Sequence, residues 1–382
     1  MPQPPPELAD LSQRLCTRIV EEIENDGSMP FDRYMAMALY EPGLGYYVNG
    51  LHKFGSSGDF VTAPEQGKLF ARALARQLDE IGEALAPPWT LLELGAGSGV
   101  LARDLLESMR KPPARYLILE PSAVLREVQQ ETVAGLPPGL RDRIEWIDRP
   151  PTESYSGVVL ANEVVDALPV SRFRIENGQV LELAVNVVDD RLELTPTTAS
   201  KRLNAALQPV IQRLPHPLPD GFESEICLDL HGWLATVTES LERGVALFID
   251  YGYPRAEYYH PDRSGGTLVC HYRHRAHFDP FVWPGLTDLS AFVDFTACAE
   301  AAVACNLDVA GYTSQAGFLL SLGIAEAVGE VDDEYERLKL SAEIKRLTLP
   351  GEMGEKFKVL ALAHDFEQPL SGFESMSQLH RL

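Results

Sequence analysis

The nine residues Leu91–Gly99, LLELGAGSG, constrain this chain more than any other stretch. They read as a short apolar strand that closes on Glu93 and a turn carrying Gly95, Gly97 and Gly99. A helical pattern follows at once, with Leu101, Leu105 and Met109 on one face. A strand, a glycine turn and a helix N-terminus in succession bring backbone close to a ligand, because glycine lacks a Cβ and adopts positive φ at little cost. The spacing is E-x-G-x-G-x-G. It departs from the dinucleotide fingerprint G-x-G-x-x-G, whose third small residue would fall at Val100. The shift points away from a pyrophosphate and toward a nucleoside with a short, charged amino-acid tail. S-adenosylmethionine (SAM) is such a ligand.

From Trp89 onward, strand and helix patterns alternate. Strands are expected at Thr90–Leu94, Arg115–Glu120, Arg143–Ile147, Gly157–Ala161 and Val245–Asp250, with a last one at Lys356–His364. Alternation of this kind predicts an α/β fold: a parallel sheet with helices on both faces and the ligand at the carboxyl ends of the strands. Residues 1–88 read as a helical N-terminal cap with a glycine-rich loop, and 89–170 as the nucleoside-binding half. Residues 171–225 read as an inserted hairpin and helix, with Asn177-Gly178 as the hairpin signal. Residues 226–382 read as the remainder of the domain, including an aromatic and His-rich insertion at 253–294 on the substrate side.

Acids cluster where the predicted strands end. Glu120 lies about 20 residues past the glycine turn, where a carboxylate accepts hydrogen bonds from ribose hydroxyls. Trp146 and Asp148 close the third strand, placed to stack on an adenine and to accept from its amino group, unless Trp146 is simply core. In VVLANEVVDALPV, Asn162 is a candidate for the amino-acid end of the cofactor, or else a helix N-cap. Glu163 and Asp166 are candidates to hold a guanidinium, whose planar fork of donors suits two carboxylates. Asp250 ends the fifth strand, either beside the substrate or toward solvent. The loop GSSGDFVTAPE at Gly55–Glu65, with Asp59 and Thr62, reads as a lid and lacks the G-K-[ST] ending of a phosphate loop. His271, His274 and His277 recur every three residues without cysteine partners, a pattern read as groove-lining or structural and not as a metal centre.

The chain has 382 residues, 45% of them apolar, enough for a sizeable core. Its 56 acids and 33 bases leave a net charge of −23, which argues against nucleic acid and permits a basic protein partner. Five scattered cysteines form no metal or disulfide pattern. With no signal or transit pattern and no apolar run long enough to span a bilayer, a cytoplasmic protein is expected. The oligomeric state is not legible.

The segments GDFVTAPE, ELGAGSG, ANEVVDALPV, FIDYGY, GGTLVCHYRHRAHFDPFVWPG with DLSAFVDF, and GEKFKVLALAH occur in the order found in the MidA-like family. That family is similar to the mitochondrial complex I assembly factor 7. The resemblance runs from Asp32 to Asp365. It implies a class I methyltransferase, Rossmann-like, with a seven-stranded sheet, a helical N-terminal cap and inserted elements. It also implies SAM as cofactor and dimethylation of an arginine on the large hydrogenase-like subunit of respiratory complex I. Under it, Glu93, Gly95, Gly97, Gly99 and Glu120 belong to the SAM site, with Gly58, Asp59 and Thr62 in the cap above it. One departure stands out. Relatives carry D-I-T-A-H-V-D-F where this chain has Asp288–Phe295, so Phe292 replaces a histidine. Two other readings remain open: a non-catalytic SAM-binding assembly chaperone, and an NAD-dependent oxidoreductase.

Overall fold

The computed structural model describes residues 1–50, 62–329 and 331–382. They form two compact units. One comprises residues 1–50, Asp166–Leu230 and Tyr253–Asp294; the other comprises residues 62–165, His231–Gly252 and Phe295–Leu382.

The second unit holds the sheet that the alternating pattern predicts. Its strands are β1 (Thr90–Leu94), β2 (Arg115–Leu119), β3 (Ile144–Ile147), β4 (Tyr155–Asn162), β5 (Leu241–Tyr253), β6 (Asp308–Ser314) and β7 (Phe357–His364). Their spatial order is β6-β7-β5-β4-β1-β2-β3. The pairs β1–β2, β2–β3, β1–β4 and β4–β5 are parallel, and β7 runs antiparallel to both β5 and β6. Every residue of β1 is buried, and β4 and β5 are buried through their centres, as expected for parallel strands covered on both faces. One face packs Leu91, Tyr116, Ile118, Val158 and Leu160 against the helices Leu69–Leu85 and Val100–Ser108. The order reverses between β1 and β4, the place where open α/β sheets leave a crevice for a ligand.

Strand β6 has no counterpart in the sequence reading. It pairs with β7 through a register shift between Val309 and Gly311. That irregularity breaks the period-two alternation by which a strand is recognised.

The other unit is built on a four-stranded antiparallel sheet, in the order Arg191–Thr198, Gln179–Val188, Ser171–Glu176, Glu223–Ile226. Asn177 and Gly178 turn its central hairpin with φ of 51° and 72°. The apolar stripe of the helix Pro6–Asp26 (Leu15, Ile19, Ile23) and that of Phe31–Tyr40 pack with Val185 in one buried cluster. A smaller antiparallel sheet (Arg275–His277, Val269–Tyr272, Asp288–Ser290) and the two-residue strand Val293–Asp294 complete its strands. Among the described residues, no helix is long and apolar enough to cross a membrane.

Gly157 shows how closely β1 and β4 approach: a Cβ there would overlap the Thr90 carbonyl oxygen. Gly157→Ala is therefore expected to cost about 2–3 kcal/mol, read as a lower urea midpoint at unchanged m-value.

Candidate functional site

Register brings the site together. Leu94 pairs with both Leu119 and Ala161, Leu119 pairs with Ile147, and Asn162 pairs with Ile249. The next residues along the chain, Gly95, Glu120, Asp148, Glu163 and Asp250, therefore lie level along one common edge, Asp250 still within β5. The glycine turn sits at the centre of that edge. Gly95, Gly97 and Gly99 have φ of 59°, 53° and 79°. Gly99 is the N-cap of the helix Val100–Ser108. A Cβ on Gly95 would press on Val164, and one on Gly99 would press on the Gln129 backbone, so side chains are excluded on both counts.

Glu120 is buried at the end of β2. Its carboxylate accepts the Ser122 amide at 2.9 Å and the Gln129 side-chain amide at 3.1 Å. Gln129 also donates to the Gly97 carbonyl at 3.1 Å and accepts the Trp146 indole N–H at 2.9 Å. Trp146 is half-buried against the main core cluster. Asp148 is exposed, 3.6 Å from Arg149.

At the end of β4, Glu163 adopts φ of 55°, a left-handed conformation that costs a non-glycine residue about 1–2 kcal/mol. The neighbours hold it there. The Glu163 amide donates to the Ile249 carbonyl at 2.9 Å. The Asp250 carboxylate accepts the amides of Val164 at 3.2 Å, Val165 at 3.0 Å and Tyr251 at 2.9 Å. At 1% exposure, Asp250 is withdrawn from solvent, and its amide bonds organise the turn that carries Glu163. Asn162 donates to the Glu163 carboxylate at 3.2 Å, and its own buried Oδ1 has no partner among the described residues. A buried acceptor of that kind costs about 1–3 kcal/mol until a donor reaches it. The ammonium of an amino-acid tail is such a donor, so the edge suits a nucleoside with that tail.

Glu93 lies under the glycine turn and is buried, with its carboxyl accepting the Tyr116 hydroxyl at 2.8 Å. Burial pushes its pKa up from the ordinary 4.5 to about 7, and the Tyr116 hydrogen bond opposes that rise.

Thr62 precedes the single turn Ala63–Gln66, and its carbonyl accepts the Glu65 amide at 3.0 Å. The Glu65 carboxylate takes a short hydrogen bond from Ser98, inside the glycine turn. Gly58 and Asp59 lie outside the described residues. Asp166 belongs to the other unit, where it is buried and its carbonyl accepts the Ala291 amide at 3.0 Å. In that same unit, His271 and His277 sit on the paired strands Val269–Tyr272 and Arg275–His277, and His274 is in their turn. No cluster able to hold a metal occurs among the described residues. Phe292 stacks on Tyr253 with ring centroids 5.6 Å apart.

Sequence reading overlooked Gln129, Ser98 and Glu65. Ser98 carried a signal in its place inside the glycine turn, and Glu65 in closing the loop read as a lid. Gln129 looks like any polar residue of the helix Ala123–Val133, and its partners are distant in sequence.

The Glu93 burial has a measurable consequence. Its folded-state pKa is raised, so the folded chain binds the proton more tightly than the unfolded chain does. That stabilisation is complete below about pH 4.5 and is lost as pH rises through about 7. Relative to Glu93→Gln, wild-type stability should fall by about 3 kcal/mol across this window, measured by urea unfolding at a series of pH values.

Comparison with known proteins gives the same picture. A family model described as S-adenosyl-L-methionine-dependent methyltransferase matches residues 69–313. A superfamily member from Burkholderia thailandensis, crystallised with S-adenosyl-homocysteine, is 38% identical, with a TM-score of 0.93 and 100% of both chains covered. The Drosophila melanogaster protein arginine methyltransferase NDUFAF7 homolog, mitochondrial, is 28% identical over 97% of this chain and 92% of its own. Mouse NDUFAF7 is 27% identical over 91% and 84%. These relatives are mitochondrial by name, which overturns the expectation of a cytoplasmic protein. Scattered cysteines without a disulfide pattern do not single out one compartment. The family match, the SAM-site chemistry at the sheet edge and the fold agree: this chain belongs to the MidA-like family of SAM-dependent methyltransferases.

Proposed function

We propose that the methyl acceptor of this enzyme is an arginine of a protein, and that this protein is the large hydrogenase-like subunit of respiratory complex I. The observation that carries the arginine reading is the name borne by the matched relatives from insect, mouse and human, protein arginine methyltransferase. The complex I reading rests on the motif order shared with the assembly factor. A net charge of −23 favours encounter with a basic segment.

The cofactor supplies a methyl group already activated on a sulfonium. What remains for the chain is placement and electrostatics. In this reading Gly95, Gly97 and Gly99 give the cofactor backbone access, Glu120 accepts from its ribose, Trp146 and Asp148 meet its adenine, and Asn162 takes its ammonium. Thr62, with Gly58 and Asp59, belongs to the cap above it. Glu163 holds the guanidinium and draws its positive charge away from the attacking nitrogen, while Asp250 fixes the backbone on which Glu163 stands. The attacking nitrogen gives up one N–H proton as it takes the methyl group and the product remains a guanidinium cation, so no strong base is needed.

Glu163→Gln removes the charge and keeps the shape. Transfer of radiolabelled methyl from SAM to the complex I subunit should fall by about 10²–10³-fold, with S-adenosylhomocysteine affinity within about threefold of wild type. Normal turnover in that variant refutes the role of Glu163. Absence of methylated arginine in the subunit, by mass spectrometry after wild-type reaction, refutes the substrate.

A further inference from the structure

Gln129 is completely buried, and all of its amide is engaged. Its nitrogen sits 3.1 Å from two acceptors, the Gly97 carbonyl and the Glu120 carboxylate, and its oxygen sits 2.9 Å from a donor, the Trp146 indole. The partners themselves settle which end of the amide is which, because a flipped amide would face oxygen to oxygen twice. One side chain thus ties together the glycine turn after β1, the acid after β2 and the tryptophan of β3. It does so where Gly99 leaves no room for a Cβ above the Gln129 backbone.

We propose that Gln129 is a positioning residue for the cofactor. Its two N–H groups lock the carboxylate of Glu120 to the carbonyl of Gly97, so that the acid and the turn present one rigid surface to the nucleoside. Its oxygen holds the Trp146 ring in register with that surface. The inference rests on the reading that Glu120 accepts from the ribose. A filler residue at this position would need only volume. A positioning residue needs a donor toward Glu120, and that requirement separates the two roles.

Gln129→Glu keeps the volume and makes the donor depend on pH. Near pH 8 the new carboxylate faces Glu120 and Gly97 with no hydrogen to give. Near pH 5.5 a proton shared between the two acids restores a donor. Calorimetric titration of the full chain with S-adenosylhomocysteine should show affinity about tenfold or more below wild type at pH 8, recovering to within about threefold at pH 5.5. Gln129→Ala should be weak at both pH values. Trp146→Phe, which removes the indole N–H together with part of the ring, should weaken binding about threefold or more at both and serves if the carboxylate variant fails to fold. Wild-type affinity in Gln129→Glu and Gln129→Ala at every pH, or in Trp146→Phe where that variant stands in, overturns the inference. Glu120→Gln separates the two readings. If it binds as wild type, the ribose placement falls and this inference with it; if it binds weakly while the Gln129 variants do not, only this inference falls.

Discussion

The edge of the sheet depends on one buried carboxylate. Asp250 accepts three backbone amides, two of them from the turn that follows β4. A carboxylate removed from water is costly unless its lone pairs are filled, and three amide donors fill them. The same bonds hold the turn in the shape that places Glu163 at positive φ. The strain on Glu163 is thus stored by the strand beside it, and parallel pairing of β4 with β5 keeps the two ends level. Strain of this kind persists where the surroundings over-determine it, and it gathers at functional sites.

The acids at this edge have distinct roles despite their similar positions. Glu93 lies beneath the glycine turn against Tyr116, in surroundings that favour the neutral carboxyl. Glu120 accepts from Ser122 and Gln129 and is aimed along the edge. Asp250 fixes backbone. Glu163 is the half-buried acid presented outward by the turn. Local donors and depth decide which acid is buried in the structure of the site and which stays partly exposed. Residue type alone does not.

Much of the second unit was legible in the sequence. The apolar runs of β1, β2 and β4 are buried on both faces, so their composition declares them. The glycine turn was legible because three positive φ values within five residues leave few alternatives to glycine. Strand β6 was hidden by its register shift. The fate of Asp250 was hidden because its three donors are backbone amides, which every sequence possesses. Gln129 was hidden because its partners come from the ends of three different strands. Glu163 and Asp166 stand three residues apart in one motif, and the boundary between the two units falls between them, at Val165 and Asp166.

The central claim is that the nucleoside lies across the glycine turn with its ribose on Glu120. A crystal structure of the chain with S-adenosylhomocysteine tests it directly. The account predicts both ribose hydroxyls within hydrogen-bond distance of the Glu120 carboxylate and the amino-acid tail beside Asn162. Density for the nucleoside on the other face of the sheet, or along its amino-terminal edge, would contradict it.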